Sequence, residues 1–423
     1  MLVGCISEYN NMKKIVSIFI LLFTVLFSLG ATTYYVSPTG SSGNSGLSTS
    51  VPWPLQYAMN TVANGDTIML MDGVYTAASE FSIYSRNNVT IKAINKWKAI
   101  IANNGNFGIY CDSSGATRTD HMIVDGLCVS NTILTAGVAI CNYSTVRNCW
   151  IVGNNKDGIS ASGPNSSNNI IEYNLIEDND KFNDSLHHGM YISGSGNIVR
   201  GNVVRNNHAG FGIQLYTEDV GHYETNNLVY NNLTYGHTTV AGLVIYNANG
   251  IYTTLTGTNY VFNNTILDGF YTSWGTVMVS NNIILPNVNT PNQGIYPGTS
   301  RPPTIYADYN ASSAVLTNIG GHDIITNNIG FVNSANGLYW LKSDSAVRGK
   351  AKTTVFSSPD FFGNTISSVT DIGAFQYNSL YASDTRTLDP SGTTGADYWT
   401  ILTSPGGGGN GRMLTIRTLR VGH

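Results

Sequence analysis

A short pattern recurs along the middle of the chain: a β-prone run, a junction asparagine and a second β-prone run. The stretch HHGMYISGSGNIVRGNVVRNN at 187–207 shows it most fully, with Asn202 at the junction. The junction asparagines are Asn148, Asn174, Asn202, Asn232, Asn264 and Asn282, at intervals of 26, 28, 30, 32 and 18 residues. Repeats of this length built from β-prone runs predict a solenoid, in which each repeat packs on its neighbours.

Aliphatic residues at fixed places around the junctions predict which side chains point inward. One column, before the junctions, contains Val146, Ile171, Val199, Val229, Val261 and Val279; a second, two residues after them, contains Trp150, Ile176, Val204, Thr234, Ile266 and Ile284. A glycine register, DGIS at 157, HGMY at 188, FGIQ at 211 and AGLV at 241, opens another set of strands. We therefore predict an all-β chain with three short strands per coil, stacked in parallel at about 4.8 Å per coil.

Composition agrees with stacked coils. Only 11% of the residues are charged, and 45 are glycine, whereas an average globular protein has about 25% charged residues. Asparagine and glycine tolerate the tight corners of a coil, and a buried asparagine can bond the coils on either side. The net charge of −4 says little about partners. No basic patch argues for nucleic acid, so we expect no nucleic-acid partner.

The ends of the chain differ from the repeat. Two lysines follow Met12, the more natural start, and precede an apolar run at 15–29, so residues 1–31 are predicted to be a secretory signal peptide. We expect an extracellular or periplasmic protein with no membrane association after cleavage. A short helix at 55–62 is expected to cap the first coil of a β-helix domain at 32–377. Residues 378–423, with GGGG at 406–409, are predicted to be a low-complexity tail.

Several motifs carry a family resemblance. The segments are YYVSPTG at 34–40, GDTI at 65–68, DGVY at 72–75, HGMYIS at 188–193, GIQL at 212–215 and DIGAFQY at 371–377. In these the chain resembles the secreted right-handed parallel β-helix proteins of the pectate lyase-like superfamily, over about residues 33–377. The resemblance implies that fold. It does not select a reaction, because the superfamily includes lyases, glycoside hydrolases, uronan epimerases and proteins without known activity.

Four cysteines lie in the predicted mature chain, at positions 111, 128, 141 and 149. Their spacing matches no zinc motif. Cys128 and Cys149 fall in strand runs beside aliphatic residues, which favours small buried side chains within the stacked columns. A disulfide is the alternative in an exported protein.

The glycine register also predicts a functional face. It places Lys156 one coil from His187 and Asp157 one coil from His188. Outward positions form two rows, one of Ser160, Tyr191, Gln214 and Val244, the other of Ser162, Ser193, Tyr216 and Tyr246. Such an uncharged aromatic and hydrogen-bonding face is suited to sugar rings.

Two insertions, at 178–186 and 217–224, border this face. Together with the face they contain the densest cluster of ionisable residues in the sequence. β-Elimination from a uronic-acid polymer requires a base, a group that neutralises the carboxylate and an acid for the leaving oxygen. We predict His188 or His187 as base, Lys181 with Lys156 as neutraliser, and Tyr191 as proton donor. The predicted substrate-binding residues are Gln214, Tyr216, Glu218, Asp219, His222, Tyr223 and Tyr246.

Alternatives remain for each assignment. Asp178, Asp180 and Asp184 offer the hard oxygen ligands that calcium prefers, so calcium is the candidate cofactor, although solvation of these loop carboxylates is the favoured explanation. The histidines could cap turns, and Tyr191 could belong to a structural row. We predict a monomeric polysaccharide lyase acting on an anionic polysaccharide. A glycoside hydrolase or uronan epimerase, and a non-catalytic glycan-binding surface protein, are the alternatives.

Overall fold

A computed structural model describes residues 30–77, 79–103, 105–111, 119–163, 166–217, 224–237, 241–247, 257–299, 302–316, 320–353, 361, 370–377 and 379. Nearly all of the predicted signal peptide and tail therefore lies outside the described residues. Within them, no helix is long and apolar enough to cross a membrane.

Three parallel sheets of 11, 11 and 9 strands build the described part of the chain. Sheet 1 contains Thr33–Val36, Thr67–Leu70, Thr90–Ala93, Ile123–Asp125, Thr145–Arg147, Ile170–Glu172, Ile198–Arg200, Leu228–Tyr230, Thr258–Phe262, Thr276–Ser280 and Thr304–Asp308. Sheet 2 contains Gly73–Tyr75, Ala99–Ala102, Cys128–Ser130, Trp150–Val152, Leu175–Glu177, Val203–Arg205, Leu233–Tyr235, Thr265–Ile266, Ile283–Ile284, Ala311–Ser312 and Ile324–Ile325. Sheet 3 contains Phe81–Ile83, Ile109–Cys111, Ala136–Ala139, Asp157–Ala161, Met190–Ile192, Ile213–Thr217, Leu243–Asn247, Phe270–Ser273 and Ile295–Pro297.

From Thr67–Leu70 to Ile295–Pro297 each coil passes from sheet 1 to sheet 2 to sheet 3, and within each sheet a strand pairs with its equivalent one coil away. The chain is a parallel β-helix, and the prediction of three strands per coil is confirmed. A helix at Leu55–Thr61 buries Leu55, Ala58 and Met59 against the first strands. The remaining elements are a 3-10 helix at Ser334–Asn336 and an antiparallel pair, Phe331–Asn333 with Leu338–Leu341.

The junction asparagines from Asn174 onward lie at the corner between sheets 1 and 2, where their side chains form a hydrogen-bonded ladder from coil to coil. Its members are Asn174, Asn202, Asn232, Asn264, Asn282 and Asn310. Each side-chain Oδ1 accepts the backbone N–H of the ladder position one coil earlier, at 2.9–3.0 Å. Each Nδ2 donates to a strand carbonyl of that earlier coil. The ladder satisfies the backbone groups that a sharp, buried corner would otherwise leave unpaired.

The first junction was predicted one residue too early. Cys149, and not Asn148, holds the ladder position, because its N–H donates to Asn174 Oδ1 at 2.9 Å. Asn148 takes the preceding left-handed position, with φ of 55°. Consequently Ile151 points into the core, and Trp150, predicted to point inward, is on the outer face.

Two further ladders occupy the other corners. Asn169, Asn197, Asn227 and Asn259 are linked in the same way between sheets 3 and 1. Asn154, Asn179 and Asn207 are linked between sheets 2 and 3, and the series continues with His237, whose Nε2 lies 3.3 Å from Asn207 Nδ2. Neither of these two ladders was predicted from the sequence.

The C-terminal part of the domain covers the outer face of sheet 2. Leu338, Trp340 and Phe375 belong to one buried cluster with outward residues of that sheet, including Leu175 and Leu233. Coils were predicted to continue to about residue 375, whereas the last strand of the three described parallel sheets is Ile324–Ile325. The chain after it packs on the outside because sheet 2 presents an apolar outer row that needs covering.

All four predicted mature-chain cysteines are buried, and none of them is in a disulfide within the described residues. Cys111, Cys141 and Cys149 belong to the central hydrophobic cluster, and Cys128 packs in the sheet 2 cluster. The interpretation as small buried side chains is confirmed in the structure.

Candidate active site

The glycine register of sheet 3 is confirmed residue by residue. Ser160 pairs with Tyr191, Tyr191 with Gln214, and Gln214 with Val244. A Cβ added to Gly158 would lie 2.6 Å from the carbonyl oxygen of Gly189 in the next coil, so this position excludes a side chain. The close approach of successive coils keeps the outward rows in register.

Two adjoining clefts lie on the outer face of sheet 3. The His187 cleft, of about 390 Å³, is lined by Phe107, Tyr110, Cys111, Thr135, Ala136, Ala139, Ile140, Asp157, Ser160, Ser162, Leu186, His187 and Tyr191. The tyrosine cleft, of about 580 Å³, is lined by Ser185, Leu186, His188, Tyr191, Phe211, Gln214, Tyr216, Val244, Tyr246 and Tyr271. They share Leu186 and Tyr191, and together they form what we call the groove.

Tyrosines from successive coils form a track in the groove. The rings of Tyr191 and Tyr216 meet edge to face at 5.9 Å, and those of Tyr216 and Tyr246 stack at 5.3 Å. Tyr271 continues the track at 6.1 Å from Tyr246. Aromatic faces with polar tips can pack against sugar rings and hydrogen bond to their hydroxyl groups. Tyr271 was not predicted; its one-coil register with Val244 could have identified it.

His187 lies between two carboxylates in the groove. Its Nδ1 is 3.6 Å from Asp157 Oδ2, and its Nε2 is 3.6 Å from Asp184 Oδ2. The interaction with Asp157 raises the pKa of His187 above its ordinary value, although partial burial opposes the shift. The ring is therefore a proton-exchanging group held by a carboxylate, an arrangement used in general acid–base catalysis. Asp157 was aligned with His188 from the sequence, but its contact with His187 was missed.

His188 has a different environment. Its side chain is almost fully buried, and burial lowers its pKa to about 4. Its Nδ1 accepts the backbone N–H of Phe211 at 3.0 Å, so the neutral ring carries its proton on Nε2 and has no lone pair left for a substrate. The ring lies parallel to that of Tyr191, 5.9 Å away. This geometry argues against His188 as the base and makes it a support for Tyr191.

The two predicted lysine neutralisers are held elsewhere. Lys181 Nζ lies 3.1 Å from Asp178 Oδ2, and Lys156 lies over the ring of Phe182 at 6.0 Å. Neither lysine lines the two clefts. The basic side chain that does line the His187 cleft is His187 itself.

The three predicted calcium ligands have separate partners. Asp178 pairs with Lys181 and with His208, whose Nε2 is 2.8 Å away. Asp180 is buried and its Oδ2 accepts the N–H groups of Ala209 and Gly210. Asp184 accepts the N–H of Leu186 and faces His187. Among the described residues no three acidic, histidine or cysteine side chains converge as metal ligands, so this trio does not fit a calcium site.

The predicted binding residues fall into two groups. Gln214, Tyr216 and Tyr246 line the tyrosine cleft, and Gln214 Oε1 is buried without a hydrogen-bond partner among the described residues. A substrate hydroxyl could satisfy this oxygen. Glu218, Asp219, His222 and Tyr223 lie outside the described residues.

Comparison with solved structures agrees with this architecture. The structure of pectate lyase Pel9A matches with a TM-score of 0.55 and 17% sequence identity, over 83% of this chain and 98% of the other. The chain has a pectate lyase-like fold. At that identity the similarity establishes the fold alone.

Other solved structures match with lower TM-scores. The complex of XylC with xylose matches with a TM-score of 0.44 and 10% identity, over 82% of this chain and 98% of the other. The catalytic unit of a thermostable GH87 α-1,3-glucanase from Streptomyces thermodiastaticus strain HF3-3 matches with a TM-score of 0.43 and 14% identity, over 71% and 68%. No protein-family model and no curated protein matches the chain.

Proposed function

We propose that this protein is a polysaccharide lyase that cleaves an acidic polysaccharide by β-elimination in the groove. The observation that carries the proposal is the Asp157–His187 pair in a cleft that also contains Tyr191. The tyrosine track supplies an extended surface for a sugar polymer. The similarity in fold to a pectate lyase is consistent with this reaction class.

The proposed roles follow from the two ring nitrogens of His187. Asp157 faces Nδ1 and holds the ring, as the orienting carboxylate does in a catalytic triad. Neutral His187 then removes the proton from the carbon next to the uronate carboxylate through Nε2. The electron pair forms a carbon–carbon double bond, the bond to the glycosidic oxygen breaks, and Tyr191 donates a proton to the leaving oxygen.

Charge in the groove limits which substrates can react. Asp157 and Asp184 both flank His187, so a uronate carboxylate placed there requires a cation to balance it. Lys156 and Lys181 stay our proposal for that cation, and both would have to leave their present partners to reach the substrate.

A glycoside hydrolase is the second candidate, and one observation favours it. Asp157 and Asp184 approach opposite nitrogens of the same imidazole, each at 3.6 Å. Their separation across the ring is compatible with the roughly 6.5–9.5 Å that inverting glycosidases leave between their two carboxyl groups. In that reaction one carboxyl group protonates the leaving oxygen and the other activates water.

The two reactions give different products. Purified protein is incubated with polygalacturonate, alginate, a glycosaminoglycan and a neutral glucan, and both near-ultraviolet absorbance and reducing ends are recorded. The proposal predicts that both signals rise together on an acidic polymer. Reducing ends without absorbance would establish the hydrolase, and neither signal with any polymer would refute a cleaving enzyme.

Matched variants assign the signal to the groove. His187→Ala and Tyr191→Phe should each lower kcat at least about a hundredfold, the usual contribution of one acid or base. His121→Asn and Tyr143→Phe are the controls, because these rings stack on each other at 4.8 Å and line neither cleft. Loss of activity in the controls as well would indicate damage to the fold.

A further inference from the structure

An apolar row runs along the outer face of sheet 1, away from the groove. Coil by coil it contains Ile170, Ile198, Leu228, Tyr260, Met278 and Tyr306. Its first members are half-buried, whereas Met278 is 45% exposed and Tyr306 61% exposed. Large apolar side chains exposed together in a soluble protein indicate a binding surface.

Sheet 2 provides the internal comparison. Its outward apolar row includes Leu175, Val203 and Leu233, and Trp340 and Phe375 pack in the same buried cluster. The fold therefore covers one outer apolar row with its own chain. The row on sheet 1 stays open at Met278 and Tyr306.

A cleft of about 400 Å³ opens at this end of the row. Tyr260, Ser280, Tyr306 and Lys352 are among its lining residues. The backbone at Lys352 is fixed by Asn281, whose Oδ1 accepts the Lys352 N–H at 2.8 Å and whose Nδ2 donates to the Lys352 carbonyl at 3.0 Å. The position of the lysine is thus built into the fold.

The charges in this cleft favour an anionic ligand. Lys352 is exposed and forms no ion pair within the part of the chain that the structure describes. The one carboxylate lining the cleft, Asp308, is engaged by His322, whose Nδ1 is 3.0 Å from Oδ2. Lys352 is therefore the cationic side chain of this cleft, whose lining also contains tyrosine rings and Ser280.

We propose that this cleft is a second, non-catalytic glycan site that binds uronate residues of the acidic polysaccharide. A sugar ring packs against Tyr306 and Met278, and its carboxylate pairs with Lys352. The inference rests on the proposed function only for the choice of an acidic polysaccharide. The second site holds the polysaccharide on the protein while another part of the same polysaccharide occupies the groove. The two sites therefore act together on long substrates.

The test separates the two sites in the full-length protein. Retardation is measured by electrophoresis through gels containing polygalacturonate or alginate, with His187→Ala as the non-cleaving background. Adding Tyr306→Ala together with Lys352→Met should weaken retention about tenfold. Lys350→Met, an exposed lysine two residues away, and Tyr57→Ala, a partly exposed tyrosine of the N-terminal helix, are the matched controls and should change nothing.

Turnover distinguishes this inference from the proposed function. With His187 intact, the double variant should cleave short oligosaccharides at the wild-type rate and lose efficiency only on long polymer. Unchanged retention and unchanged polymer cleavage would overturn the second site while leaving the lyase proposal standing. A concentration-dependent dimer that dissociates on Tyr306→Ala, with glycan retention unaffected, would also overturn it and assign the surface to a second copy of the chain. Retention that depends on Tyr306 and Lys352 in a protein without lyase activity would support the site and refute the reaction.

Discussion

Replacing Asn202 by alanine tests the role of the corner ladder in stability. Asn202 Oδ1 accepts both the backbone N–H and the side-chain Nδ2 of Asn174, each at 3.0 Å, and its own Nδ2 donates to the Ile171 carbonyl at 2.8 Å. Alanine leaves two donors of Asn174 buried without that acceptor, and each such orphan costs about 1–3 kcal/mol. We therefore expect the free energy of unfolding to fall by about 4 kcal/mol.

The assay is equilibrium denaturation in guanidinium chloride followed by circular dichroism. Asn328→Ala is the control, because Asn328 is exposed and an exposed substitution changes stability by less than about 0.5 kcal/mol. Asn202→Asp keeps the shape but replaces the donor amide, and it should destabilise at least as much as alanine. A loss below about 1 kcal/mol for Asn202→Ala would refute the view that the ladder satisfies otherwise unpaired backbone groups.

Three further predictions concern ionisable and thiol groups. Because burial lowers the pKa of His188 to about 4, the unfolded chain takes up a proton below about pH 6.5 that the folded protein refuses. The free energy of unfolding should therefore fall by about 3 kcal/mol between these pH values, and His188→Gln should remove that dependence. Asp157→Asn weakens the interaction that raises the pKa of His187, so the rise of kcat with pH, which reports the neutral base, should move to lower pH; an unchanged profile would exclude His187 as the titrating base. A thiol reagent should label Cys111, Cys128, Cys141 and Cys149 only after unfolding, and non-reducing peptide mapping that finds a disulfide among them would contradict the structure.

The fold could be predicted from the sequence because the corner chemistry repeats. Six successive coils place an asparagine side chain at the same corner, so asparagine recurs at the repeat interval. The error at the first junction has the same origin. In later coils asparagine pairs such as Asn231 and Asn232 supply first the left-handed position and then the ladder position. Asn148 supplies only the first, and Cys149 follows it, so the visible asparagine marks the wrong residue.

The sequence could predict which residues form the rows of the groove, but not which side chains contact one another there. Strand register fixes which residues share a face, and so Tyr191, Gln214 and Tyr216 were placed correctly on sheet 3. Register does not decide which of two adjacent histidines is buried, nor which carboxylate a long lysine side chain will reach. Those outcomes depend on rotamers and on desolvation. Only the three-dimensional structure shows that His188 is buried and that Lys181 pairs with Asp178.

A crystal structure of the His187→Ala protein with a bound acidic oligosaccharide tests the central claim most directly. The proposal predicts a sugar chain over the outer face of sheet 3, in contact with Tyr191 and Tyr216, with a glycosidic oxygen within hydrogen-bond distance of the Tyr191 hydroxyl. Oligosaccharide bound elsewhere, with the groove empty at saturating concentration, would contradict it.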